Sequence, residues 1–354
     1  MSIAAEASRK HNFLVLDGLR GVAAITVLIA HATSLILGHA IFERKYMAVQ
    51  FFFMLSGFVV MCAYERRLKS GMTFGQFCLR RAIRLYPLII IGTLMGWVYF
   101  SMFDPAFAAD PRRLLAVARS ALALPSYDAG FGFSKFPMNP PEWSLFFELL
   151  AYGVFGLVAR RATMRALIVC AGAGLVLYAI TTVRYQHDLM PFKFHALGIW
   201  ASFAIGMLLW RAYQAQLLQL VAVPFPLLAA VMLLICAIPA GVSGGVNVAL
   251  VAVVFPAVIL FGANCAAPAL RQALEFLGEL SYPLYILHWP IMLFTQRAVG
   301  NTLGPVATVF AACALSLAGS WVIYAALDRP LRNYLNVKFC SQPSLSSMPG
   351  AQPG

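Results

Sequence analysis

The stretch FLVLDGLRGVAAITVLIAHATSLIL, residues 13–37, decides the fold. It exceeds the roughly 20 apolar residues that an α-helix needs to cross a bilayer, and only Asp17, Arg20 and His31 carry ionisable groups within it. Comparable runs recur along the chain of 354 residues, of which 61% are hydrophobic and 11% charged. Soluble domains carry roughly 25% charged residues, so too few polar side chains are present to cover such a core in water. Mean hydropathy is +0.80. The solvent of this chain is lipid.

Windows of about 19 residues place helices at 13–37, 47–64, 86–103, 142–159, 166–183, 195–210, 217–239, 246–264, 281–299 and 304–327. The expectation is an all-α polytopic bundle of about ten transmembrane helices, with residues 1–338 as one membrane domain. Residues 339–354, rich in Ser, Pro and Gly, are expected to be a disordered cytoplasmic tail. Between 104 and 141 the run from Leu114 to Pro125 is too short to span and carries Arg119, so it reads as an interfacial or re-entrant helix.

An even number of spans puts both termini on one side of the membrane. With them inside, 16 Lys and Arg fall in cytoplasmic segments and 9 outside, with Arg20 alone in a span, and this bias predicts cytoplasmic termini. The net charge of +13 is thereby absorbed by orientation and needs no nucleic-acid partner. A cleaved signal peptide fits Arg9, Lys10 and the run Val22 to Ala30, but Asp17 and Arg20 interrupt the pattern. Seven cysteines without a C-x-x-C pair suggest no disulfide framework and no zinc site, and no metal site is expected.

Ionisable groups in a bilayer are costly and usually face the bundle interior. Arg20, His31, Glu148 and His288 are the four candidates. Arg20 and His31 are eleven residues apart, which puts them within about 20° of one helix face and about 16 Å apart along it. His31 and Glu148 both fall in the outer half of the membrane, where an imidazole and a carboxylate suit the base and orienter of general base catalysis. The other reading gives each a separate polar neighbour. Arg80, Arg81 and Arg84 form a basic cluster suited either to phosphate recognition or to anionic lipid headgroups. Tyr127, Trp143 and the stretch Phe131 to Phe136 suit either sugar stacking or an interfacial aromatic belt.

Five blocks in order carry a family resemblance: LDGLRGVAA at 16–24 running on to His31, FFMLSGF at 52–58, FCLRRAIRLYP at 77–87, WSLFFE at 143–148 and GELSYPLYILHWP at 278–290. Together they resemble the membrane-bound acyltransferase 3 family, including its Arg-x10-His signature at Arg20 and His31. Met54 and Pro283 depart from the common pattern without touching the chemistry.

The resemblance implies an integral O-acyltransferase of a bacterial inner membrane. Its donor would be cytoplasmic acyl-coenzyme A, acetyl-coenzyme A first among them, and its acceptor a hydroxyl of a glycan, glycolipid or small molecule. His31 would be the general base or an acyl-carrying nucleophile, with Glu148 orienting it. Arg81 and Arg84, helped by Arg80, would hold the donor's phosphates at the inner mouth. Arg20 would position the donor or pair with Asp17 at i−3. Ser281, Tyr285 and His288 share a helix face at i, i+4 and i+7 and are candidates to line the channel, His288 alternatively being a hydrogen-bonded structural residue. The alternative from another class is a transporter or flippase for a lipid-linked glycan in which His31 and Glu148 relay protons.

Overall fold

A computed structural model describes residues 13–127, 135–185, 192–217, 221–239 and 241–340. Residues Phe131 and Phe133, the basic pair Arg9 and Lys10, and the tail from 341 onward lie outside the described residues. The described residues are all-α. The helices are α1 Leu14–Leu37, α2 Lys45–Lys69, α3 Phe74–Phe103, α4 Pro105–Ala109, α5 Arg113–Ala121, α6 Glu142–Val158, α7 Met164–Arg184 and α8 Phe192–Gln214. They continue as α9 Phe225–Ala237, α10 Gly244–Ala249, α11 Phe255–Asn264, α12 Arg271–Val299, α13 Pro305–Ile323 and α14 Arg329–Cys340.

Seven helical stretches among the described residues are long and apolar enough to cross a membrane: α1, α2, α3, α7, Ala196–Gln214 of α8, Gly244–Asn264 and Pro305–Cys340. Their outer faces carry exposed Val98, Val169, Val183 and Phe310, an arrangement that water would penalise and lipid accommodates. The chain is a multi-pass membrane protein.

Three expected spans are helical without meeting that standard. α6 has 17 residues and α9 has 13, short of the roughly 20 that span a bilayer upright. α12 is long enough at 29 residues, but Arg271, Glu275, Glu279 and Arg297 and a polar inward face lower its apolarity.

Local signals account for the ends. Gly38 closes α1 with φ +79°, the left-handed conformation that Gly adopts without strain. Thr73 and Gln76 form a reciprocal cap at the start of α3, so this helix begins at Phe74 and not at the expected 86. Two π turns, Leu250–Val254 and Tyr324–Asp328, precede Pro256 and Pro330, whose missing N–H groups interrupt the helical ladder.

The core of the bundle is the α1–α12 pair. Gly18 and Gly21 lie against Leu274 and Leu277, and Gly278 lies against Asp17, so the two helices run parallel and close together. A second close pair is α2 with α8, where Gly57 meets the Phe203 carbonyl and Gly206 meets the Met54 carbonyl. Small residues permit such backbone approach in membrane bundles.

Candidate active site

The parallel α1–α12 pair joins two polar stripes. Arg20 donates from Nη2 to Ser281 Oγ at 3.1 Å and from Nη1 to Asp17 at 3.3 Å. Three turns further along α1, His31 Nδ1 lies 2.9 Å from His288 Nε2. His288 is buried at 1% exposure, and His31 is half-buried. Trp289 packs against His31 in a T-shaped arrangement with 5.6 Å between ring centroids.

Beside this pair the bundle forms a partly open cavity. Arg20, Arg81 and Arg84 all line it, together with Glu148 and Tyr285. Three guanidiniums line one space with Glu148 as the acid in its wall, and a low-dielectric cavity with surplus positive charge is stabilised by an anion. Arg81 is buried, and its Nε has no acceptor. The donor set suits phosphate, which accepts several planar N–H groups at once.

The wall of the cavity is a hydrogen-bonded unit. Arg81 donates to the Tyr152 hydroxyl, which donates to Glu148. Ser56 Oγ reaches Glu148 at 3.3 Å and the Tyr152 hydroxyl at 2.9 Å. On the α12 side, the Tyr285 and Ser144 hydroxyls are 2.7 Å apart, and the Tyr285 ring centroid is 6.2 Å from that of His288. The histidine pair therefore begins one turn beyond the lining of the cavity.

Two expectations change. Glu148 does not orient His31: its bonds go to Ser56 and Tyr152, and the ring of His31 is bonded to His288. Depth along the membrane normal left their lateral positions open, and α6 turns Glu148 toward α2 and α3. Arg80 does not join Arg81 and Arg84, because it points outward and donates to the Cys340 carbonyl at 2.7 Å. Ser281 and Tyr285 line the cavity as their spacing suggested; His288 does not, and is instead hydrogen-bonded. Arg20 pairs with Asp17 and also lines the cavity.

Tyr152, Ser56 and Ser144 were not singled out by the sequence. Tyr152 follows Glu148 by four residues and was detectable as its helical neighbour; the two serines look like small residues of apolar helices. Asn139 was also missed. Its Nδ2 donates at 2.8 Å to the Ile286 carbonyl, an acceptor freed because Pro290 has no N–H to offer it.

The model of the family described as an acyltransferase domain, acyltransferase 3, matches residues 13–325. The chain is 30% identical over 297 residues to Acyltransferase MdmB of Streptomyces mycarofaciens, covering 73% of this chain and 70% of that protein. It is 32% identical over 197 residues to "Protein 2 in picA locus" of Rhizobium radiobacter, covering 50% of this chain and 98% of that protein. No solved structure matches.

Proposed function

The chain belongs to the acyltransferase 3 family of membrane acyltransferases, and from that premise we propose that it is an O-acyltransferase of a bacterial inner membrane. The donor in this reading is a cytoplasmic acyl-coenzyme A, acetyl-coenzyme A first among them. The acceptor is a hydroxyl of a glycan, glycolipid or small molecule. The observation that carries the reading is the convergence of Arg20, Arg81 and Arg84 on one cavity whose α12 wall leads to the His31–His288 pair. Arg81 and Arg84 hold the donor's phosphates, and Arg20, fixed by Asp17 and Ser281, guides the arm that follows. Glu148 acts on the Arg81 side, holding the Tyr152 hydroxyl against the guanidinium.

His31 takes the proton of the acceptor hydroxyl as that oxygen attacks the thioester carbonyl carbon. The C–S bond then breaks, the acyl group stays on the acceptor oxygen, and the departing thiolate takes the proton back from the imidazolium. Among the described residues no hydrogen bond joins His31 to Glu148, so the proton relay on which the transporter alternative depends has no direct link.

The parallel run of α1 and α12 fits the ten-crossing arrangement, and the excess of Lys and Arg on one side puts both termini in the cytoplasm in this reading. Parallel helices need an odd number of crossings between them, and that arrangement puts seven there. The test is transfer by purified protein in nanodiscs: thiol release from acetyl-coenzyme A that depends on an acceptor hydroxyl supports the reading. Substrate counterflow without thioester cleavage overturns it. Mass spectrometry of surface glycans from a deletion strain then identifies the acceptor.

A further inference from the structure

The bonds around His288 determine which of its nitrogens carries hydrogen. Its Nδ1 lies 3.0 Å from the Leu284 carbonyl oxygen, which can only accept, so Nδ1 holds an N–H. His288 is buried and among the described residues makes no ion pair. An imidazolium there would be an uncompensated buried charge, so the ring is neutral and its Nε2 is a lone pair. The 2.9 Å contact from that atom to His31 Nδ1 is then a hydrogen bond that His31 must donate. A neutral His31 with hydrogen on Nδ1 has its own lone pair on Nε2.

The ring geometry agrees. The two imidazoles are 5° from parallel with centroids 5.2 Å apart. Rings stacked face to face keep their atoms about 3.5 Å apart or more, so a 2.9 Å N···N distance puts these rings edge to edge, N–H aimed at lone pair. Three supports hold them there. The Leu284 carbonyl fixes one end, the Trp289 ring packs perpendicular to that of His31, and Asn139 secures the turn of α12 that Pro290 leaves open.

We infer that His288 is a positioning residue which fixes His31 in the tautomer with hydrogen on Nδ1 and leaves Nε2 as the base. This rests on the role of His31 proposed above. It does for His31 what the sequence assigned to Glu148, with a neutral acceptor in place of a carboxylate. When His31 Nε2 takes the acceptor's proton, Nδ1–H remains donated to His288, so the ring does not turn during the reaction.

The experiment is ¹⁵N NMR of histidine-labelled protein in nanodiscs, with His31 assigned through a His31→Asn sample, alongside kinetics of His288→Phe and His288→Gln. Expected in the wild type is an N–H at His31 Nδ1 and an unprotonated Nε2. His288→Phe keeps a ring but removes the acceptor: kcat should fall about 10²-fold or more, the KM for the donor should stay within about threefold, and hydrogen should move to His31 Nε2. His288→Gln offers an amide oxygen to His31 Nδ1–H and should retain activity within about tenfold. Hydrogen on Nε2 in the wild type, or the same tautomer in His288→Phe as in wild type, overturns the inference, and the wild-type spectrum decides even where a variant does not fold. Should the tautomer be as expected while His31→Ala remains active, the base assignment fails and the positioning of the ring stands.

Discussion

The guanidinium of Arg81 lies over the ring of Tyr152, Cζ 4.1 Å from the ring centroid, and donates to the same residue's hydroxyl. Tyr152 thus grips the arginine by face and by edge, and donates its own O–H to Glu148. Removing only the hydroxyl separates these contributions. Tyr152→Phe keeps the cation–π contact and loses a hydrogen bond that contributes about 0.5–1.5 kcal/mol. The expected result is a rise of about 3- to 10-fold in the donor KM with kcat preserved, read from initial rates at varied acyl-coenzyme A.

Glu148→Gln keeps an oxygen for Ser56 and Tyr152 and removes the charge. Because Glu148 faces Arg81 and not His31, the donor KM should change while kcat at saturating donor is retained. A loss of kcat at saturation would instead return Glu148 to the reacting centre.

Arg81→Ala and Arg84→Ala should each raise the donor KM about 10- to 100-fold, the effect of losing a charged hydrogen bond of about 1.5–3 kcal/mol. Arg80→Ala should leave it unchanged, since that side chain caps the end of α14 at Cys340. Equilibrium binding of coenzyme A to the three purified variants distinguishes this pattern from a lipid-anchoring cluster, in which all three would behave alike.

His31→Ala should insert and accumulate like wild type yet lose about 10²- to 10⁴-fold in transfer rate. Single-turnover assays at matched protein levels measure this directly, and wild-type turnover would remove His31 from the chemistry.

Gly57→Ala puts a methyl group into the Phe203 carbonyl, and Gly206→Ala one into that of Met54. Backbone cannot yield as a side chain does, so α2 and α8 must separate. Each substitution should destabilise the bundle by about 1–3 kcal/mol, seen as a lower thermal midpoint in detergent, whereas Gly153→Ala, with open space around it, should not.

Hydropathy and helical period were legible in residues 13–37 alone, because the cost of moving a segment from water to lipid depends on that segment's own side chains. The same local physics put Arg20 and His31 on one face and marked His31, Glu148 and His288 as groups needing interior partners. Which partners they take was decided elsewhere. His31 and His288 are 257 residues apart, Arg81 and Tyr152 are 71 apart, and such pairings depend on which helix faces meet once glycines let α1 approach α12 and α2 approach α8. The start of α3 at Phe74 was equally invisible to a hydropathy window, since its first turns are polar and are held by a cap and by neighbouring helices. Sequence thus set what had to be buried, and tertiary packing set beside what, because a hydrogen bond in lipid is chosen by the geometry of the opposing helix and not by the chain that carries the donor.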